Sequence, residues 1–323
     1  MLETLFDTID TVQIDGDDRL FCLRPLEADP ALAASIAVIG LTQPLRLQAR
    51  PDGLYRVVSG FHRLQAAHAA GLNSVPALIF DAAAETLEIF KWRLAEIAHS
   101  NPLPPLQVSH AIARLESGWS QSREDIIRTF FPLMRLAPSP KLYALYAPLH
   151  QLSLSLQRLL MQDALSLEIA VALAQRPASD QHCFHGVIQC LRLGKNRQRE
   201  FWLLLTDLER IEKRPLTELM DKNPLAAILA EAVLTPTQKS DQLKSALMHL
   251  RYPTYSAAVD RYEKILRRAK LPPGIQLRPA PYFASDQFHL ELSFRSAREL
   301  RRRLRVLETM LEQGLIDEMT GLA

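Results

Sequence analysis

At 323 residues, 48% hydrophobic and with a formal charge of +2, the chain has apolar mass for two or three well-packed domains. No window approaches the ~18 uninterrupted apolar residues of a membrane span, no basic-then-apolar leader opens the sequence, and Cys22, Cys183 and Cys190 are too scattered for a disulfide framework. A cytoplasmic protein with no membrane partner is the expectation. Its charge is segregated: residues 1–90 carry 6 Lys/Arg against 12 Asp/Glu, whereas 91–220 and 221–323 each carry 16 against 12. Such a balance fits nucleic-acid contact through the rear two thirds, or ordinary scatter.

In chain order, TVQI (11–14) and RLFCLRPL (19–26) read as extended. A helix over DPALAASIAVIG follows, with Asp29 as cap, Pro30 in its first turn and Gly40 at its end. LTQPLRLQA and LYRVVSG are two apolar strands joined by the turn Pro51-Asp52-Gly53. Gly60 breaks the second strand, HRLQAAHAAG is a helix closed by Gly71, and SVPALIF is a last strand. From about Thr86 to Leu234 the pattern is helical, punctuated by prolines. Thr235 and Gln238 have capping-box spacing, and beyond them come two helices (about 236–250 and 255–269), two strands, IQLRPAPYF and FHLELSF, and a final helix capped by Ser296 and Glu299. The plan is α+β and multidomain: an α/β domain over 1–85, an all-α domain over 86–234 and a small α+β domain over 235–323.

The junction Gly60-Phe61-His62-Arg63 carries the first chemical signal. A glycine between strand and helix lets the backbone approach a ligand, the helix start offers unpaired N–H groups to an anion, and Arg63 adds a fork of donors suited to phosphate. The whole run SIAVIGLTQPLRLQARPDGLYRVVSGFHRLQAAHAAGLNSVPALIF resembles the amino-terminal domain of ParB-family proteins, a fold shared with sulfiredoxin. The likeness rests on the Gln43-Pro44 pair before a strand, the Gly60 turn, the alanine-rich helix and Val75-Pro76 in the last strand. In chromosome-partition members the turn reads Gly-Glu-Arg-Arg and binds nucleotide phosphates.

The resemblance therefore implies a nucleotide, CTP or ATP/ADP, with Mg2+, held by Gly60, His62 and Arg63. A second family motif, approximately Glu-Asn-x-x-Arg-x-x-Leu-Asn-Pro-x-Glu, falls on residues 96–107 and adds Glu96 and His99. Glu96, Leu103 and Pro105 agree with it, whereas Ile97 and Ser100 do not. Phe61 stands where the family has its acid and sulfiredoxin its cysteine, and Cys22 is far from the turn in sequence. Ser59 replaces the aspartate of related free-serine kinases. No catalytic residue is expected, and the balance of these replacements is against an enzyme without closing the question.

After Leu106, VSHAIARLES, REDIIRTFF and KLYALYAPL give the order of a helix-turn-helix at the place where ParB-like proteins carry theirs. On that reading Ser139, Lys141 and Tyr143 lead the helix that enters the groove, while Arg123, Arg128 and Arg135 contact phosphates. The leucine-rich LHQLSLSLQRLLMQDALSLEIAVALA resembles the helices that follow it in the family. The expected partners are double-stranded DNA, a partition ATPase and a second copy of the chain, which would make the protein nucleoid-associated. The alternative is a nucleotide-binding enzyme or switch of the same fold, CTPase- or kinase-like, without DNA binding.

His182, Cys183, His185 and Cys190 do not converge on a helix as zinc ligands must, and Phe184, Val187, Ile188 and Leu191 form an apolar stripe there, so a packed helix without metal is expected. In the last helix Leu300, Leu304, Leu307 and Leu311 form a stripe that either packs on its own domain or makes a dimer seam. Arg298, Arg301, Arg302, Arg303 and Arg305 around it are a solvated face or a second phosphate-contacting patch.

Overall fold

A computed structural model describes residues 3–99, 101–280, 285 and 287–321. Ser100 and the predicted strand end at 281–283 lie outside the described residues. The chain forms two compact units, Met1–Gly186 with Gly194–Gln198, and Val187–Leu193 with Arg199–Ala323.

In the first unit five strands stand in the order β1-β5-β3-β4-β2: β1 (Thr4–Asp10), β2 (Ile14–Asp15), β3 (Leu45–Ala49), β4 (Tyr55–Ser59) and β5 (Ser74–Phe80). β3 and β4 are the expected hairpin, antiparallel with Leu47 opposite Val57, and Gly53 takes the positive φ of +80 that the turn requires. β5 runs parallel to β3 and antiparallel to β1. A parallel pair needs a crossover, and α2 (Phe61–Ala69) lies in the connection that provides it. Before β3, α1 (Pro30–Ile39) starts where Asp29 Oδ1 accepts the Leu32 N–H at 2.9 Å, and ends at Gly40.

The amino end differs from expectation. β1 lies in a stretch not read as extended, Thr11–Gln13 is a 3-10 turn, and residues 19–26 form a loop. The cause is local. Asp15 Oδ1 accepts the N–H groups of Asp17 and Asp18 at 3.1 Å each, and Asp18 Oδ1 accepts that of Leu20 at 3.0 Å, so side chains satisfy the backbone before it can pair in a sheet. The loop instead drives Phe21, Cys22 and Leu23 into the core.

Helices follow as α3 (Thr86–Ile97), α4 (Pro105–Trp119), α5 (Arg123–Asp125), a π-helical stretch (Ile126–Phe130), α6 (Phe131–Leu133), α7 (Pro140–Tyr146), α8 (Leu154–Met161) and α9 (Leu167–Ala174). One core joins Leu45, Leu47, Val57 and Val58 of the sheet to Phe90, Leu94, Leu115 and Phe131 of the helices, across the junction at 85/86. Each such side chain contributes about 1.5–3 kcal/mol by its burial, so sheet and helices hold one another. Phe90 anchors the 19–26 loop: its ring centroid lies 6.0 Å from that of Phe21 and 4.7 Å from that of Trp119, whose Nε1–H donates to Thr86 Oγ1 at 3.0 Å.

The chain continues through α10 (Ala178–Leu191), where Phe184, Val187, Ile188 and Leu191 are buried as their spacing predicts, and α11 (Lys195–Glu212). The second unit includes α12 (Leu216–Met220), α13 (Leu225–Ala230), α14 (Pro236–Arg251), α15 (Pro253–Ala269), the antiparallel hairpin β6 (Ile275–Pro279) and β7 (Phe288–Leu292), α16 (Ala297–Glu312) and α17 (Leu315–Thr320). The Thr235–Gln238 capping box is complete. At α16 it is half made: Ser296 caps the Glu299 N–H at 3.2 Å, but Glu299 Oε2 accepts from Arg295 N at 2.8 Å.

The leucine stripe of α16 divides. Leu307 packs against the core of Ile265, Met310, Leu315 and Met319, while Leu304 and Leu311 stay 41% and 58% exposed. Arg303 departs from both readings of the arginines, being buried and paired with Glu299 at 2.7 Å. The other four are exposed.

Candidate functional site

β4 ends at Ser59 and the chain must turn into α2 within one residue. Gly60 does this at φ +102, ψ +22. A Cβ there would stand 2.5 Å from Leu45 Cδ2 and 3.1 Å from Arg63 Nη2, so both the dihedral and the space demand glycine. The Gly60–Arg63 turn lines a cavity of about 530 Å³ together with Cys22 and Arg24 of the 19–26 loop, Arg93, Glu96 and Ile97 of α3, and Gln107 of α4. The first-turn N–H groups of α2 have no partner inside their own helix, which makes this wall receptive to an anion.

Arg63 does more than the sequence implied. Its Nη1 donates to the carbonyls of Gln43 and Pro44 at 2.7 and 2.8 Å, so the guanidinium ties the turn to the start of β3. That contact explains why Gln43-Pro44 and Arg63 belong to one pattern. His62 Nδ1 lies 3.4 Å from Arg24 Nη2, and since a guanidinium can only donate, Nδ1 accepts. Burial first, and the Arg24 charge second, hold the His62 imidazole below its ordinary range, against weaker opposing pulls from Asp29 and Glu27.

Glu96 joins the cavity as a counter-ion. Its Oε2 accepts from Arg93 Nη1 at 2.7 Å, and its Oε1 pairs with Arg46, whose guanidinium carbon sits 4.7 Å from the Trp92 ring centroid. Arg93 is pushed down to about 10, by burial and then by the charges of Arg46, Arg63 and Arg24, and is still charged at neutral pH. Its Nε is buried and has no hydrogen-bond partner.

His99 stands apart from these residues: it is exposed, does not line the cavity, and its backbone N–H donates to the Glu96 carbonyl at 3.2 Å. Cys22 is the reverse case. Far from the turn in sequence, it nevertheless lines the cavity, buried, with Sγ donating to the Arg24 carbonyl at 3.2 Å. Sequence reasoning also missed Arg24, Arg46 and Arg93. One signal was available: residues 1–90 hold only six Lys/Arg, and of these Arg50 and Arg56 pair with Asp15, Asp18 and Asp52, while Arg24, Arg46 and Arg63 gather here.

The second predicted surface runs from α4 to α7. Ser122 caps its helix by accepting the Asp125 N–H at 3.1 Å, and Ser139 caps α7 by accepting that of Leu142 at 3.4 Å. Arg123, Arg128, Arg135 and Lys141 are exposed, Arg128 pairing with Asp125 at 3.0 Å. Tyr143 is half-buried and engaged with neighbouring side chains. Its hydroxyl donates to Glu116, its ring stacks on Phe131 at 6.4 Å, and Arg123 lies 5.0 Å above it. Burial and then Glu116 push the phenol up to about 12, so it stays a donor.

The family model for the ParB N-terminal domain matches residues 26–91, from the loop beside Arg24 through the turn to the first residues of α3. Over these residues the chain is similar to the ParB N-terminal domain. Among curated relatives, the chromosome-partitioning protein ParB of Myxococcus xanthus is 30% identical over 95 residues, which is 29% of this chain and 31% of the relative. The probable ParB of Vibrio cholerae is 28% identical over 155 residues, 48% and 50%. The chain thus spans about half or less of the length of these two ParB relatives.

Among solved structures, the C-terminally truncated Caulobacter crescentus ParB complexed with CTP-gamma-S aligns over 54% of this chain and 94% of its own, at 20% identity and a TM-score of 0.25, too low to compare geometry. The ParB resemblance also implies magnesium, and the residues present do not suit it. Among the described residues Glu96 is the one carboxylate lining the cavity, and both its oxygens are engaged by arginines. Phe61 is buried, and Ile97 offers no donor.

Proposed function

We propose that the protein is a DNA-binding protein of the chromosome- and plasmid-partition type, gripping duplex phosphates through α4 to α7 and holding a nucleotide at the Gly60 turn. One observation carries this reading: Arg123, Arg128, Arg135 and Lys141 are all exposed while the residues interleaved with them, Ile126, Phe130, Phe131 and Met134, are buried. The element is therefore packed firmly on one side and cationic on the other. Phosphate contacts of that kind fix affinity and register, with Ser139 and Lys141 leading α7 towards the groove as in a helix-turn-helix.

The partition role of the ParB relatives supports the same reading. CTP, ATP or ADP would have its phosphates held by the first-turn N–H groups of α2 and by Arg63. Leu304 and Leu311 of α16 would be covered by a second copy, and a partition ATPase and the nucleoid would be the protein's setting. Fluorescence anisotropy with a labelled duplex at low salt tests the DNA half. The wild type is expected to bind, and the combined Arg123→Ala, Arg128→Ala, Arg135→Ala and Lys141→Ala variant to release the duplex. No retention by the wild type, or equal retention by the variant, overturns it; nucleotide binding without duplex binding would leave the switch alternative standing.

A further inference from the structure

We propose that the cavity over the Gly60 turn takes the phosphate chain of a nucleoside polyphosphate free of metal, with Arg24, Arg63 and Arg93 supplying the charge that a magnesium ion would otherwise bring. This rests on the nucleotide reading above and goes beyond it in naming the ionic form of the ligand and two residues, Arg24 and Arg93, that no sequence motif marks.

The donor set decides the first point. Magnesium asks for near-octahedral oxygen ligands and is usually held by one or two carboxylates besides the phosphates. Among the described residues the lining of this cavity offers one carboxylate, Glu96, and to ligate a metal it would have to give up Arg46 on one oxygen and Arg93 on the other. Phe61 points its ring into the core, where it joins the cluster of Leu45, Leu64 and Val58, and Arg19 lies 6.0 Å from its centroid. Nothing at that position replaces the missing oxygen.

Charge decides the second. Arg46 and Arg93 share the single carboxylate of Glu96, so Arg24, Arg46, Arg63 and Arg93 against Glu96 leave an excess of three positive charges around the cavity. A dication entering beside them would be repelled, whereas a bare di- or triphosphate carries about three or four negative charges and matches them. Arg24, Arg63 and Arg93 also need an anion. They crowd one another, Arg93 keeps a buried Nε without a partner, and Arg63 has already committed one nitrogen to backbone carbonyls, which fixes its remaining donors in place. Guanidinium forks suit phosphate oxygens, and a held fork gives up little freedom on binding.

Isothermal titration calorimetry of the full chain with CTP, ATP and ADP, in EDTA and separately in excess magnesium, tests this. Binding in EDTA at least as tight as in magnesium is expected, and Arg24→Gln, an exposed position whose loss leaves the core intact, should weaken it by about tenfold or more. Arg93→Gln should do the same, with Arg24→Gln as the guard against a variant that fails to fold. Binding that requires magnesium, or is several-fold tighter with it, overturns the metal-free form while leaving the nucleotide reading intact. Binding in EDTA that Arg24→Gln does not weaken overturns the role given to the arginines. Absence of heat with all three nucleotides in both buffers removes the nucleotide reading, and this inference with it.

Discussion

Gly60 and Gly53 both sit at positive φ, +102 and +80, yet their surroundings differ. A methyl group at Gly53 meets nothing within 4 Å, whereas at Gly60 it presses on Leu45 and on the Arg63 guanidinium. Gly53→Ala should therefore cost about 1 kcal/mol, the strain of a left-handed backbone alone, and Gly60→Ala about 3 kcal/mol, strain plus overpacking. Urea denaturation of the two variants checks the difference, and equal losses would mean that Leu45 and Arg63 move aside freely. Gly60 was legible in the sequence because a strand, a glycine and a helix in succession leave the turn no other residue. Arg24 and Cys22 were not, since they reach the turn only once residues 19–26 fold back as a loop, and neither was Arg93, which comes to it on α3; no local spacing encodes either approach. Arg63 was half legible: its type pointed to phosphate, while its bonds to the Gln43 and Pro44 carbonyls belong to tertiary structure.

The α4 to α7 segment separates residues that hold the fold from residues that face solvent. Tyr143 is anchored to Glu116 and Phe131, so Tyr143→Phe should lower stability by about 1–2 kcal/mol with little change in duplex affinity. Lys141→Ala should do the reverse, and thermal denaturation beside anisotropy distinguishes the two. Helix order was readable from caps and prolines, but the side of α7 that Tyr143 occupies was not, because a seven-residue helix with four apolar or aromatic neighbours has no clear polar face. On α4, His110 is held below its ordinary value of 6.5, by burial first, with Gln157 opposing as the partner of Nε2 at 3.2 Å. The unfolded chain then takes up the proton before the folded one does. Stability from the neutral ring is complete above 6.5 and is lost as pH falls below it towards the lower folded value. The urea midpoint should drop between about pH 7.5 and 5.5 by more in the wild type than in His110→Asn, which removes the titrating group.

At the scale of the molecule, the charge count and the structure together bear on where the proposed duplex contact would fall. The first 90 residues carry twice as many acids as bases, and of their six bases Arg24 and Arg63 line the cavity while Arg46 pairs with Glu96, so on the proposed reading this part of the chain is the less suited to a duplex. Between 91 and 220 the balance reverses, and four of its cations stand exposed on the α5 to α7 stretch. That segregation was visible in the sequence. What was not visible is that the acidic sheet and the basic helices share one core across 85/86, because hydrophobic periodicity tells which face of an element is buried but not what it is buried against. If Arg123, Arg128, Arg135 and Lys141 each release a condensed counter-ion, the logarithm of affinity should fall with the logarithm of salt at a slope of about −3.6 per protomer, roughly a 150-fold loss between ~50 and ~200 mM. Arg128 is the weakest of the four, since Asp125 already competes for it. Replacing Lys141 should flatten the slope by about 0.9, and replacing Arg128 by less. A slope near zero in the wild type would mean that any duplex binding is not electrostatic and that these four side chains are merely solvated. A slope unchanged by Lys141→Ala would place the phosphate contacts elsewhere, the exposed Arg298, Arg301, Arg302 and Arg305 of α16 being the next group to replace.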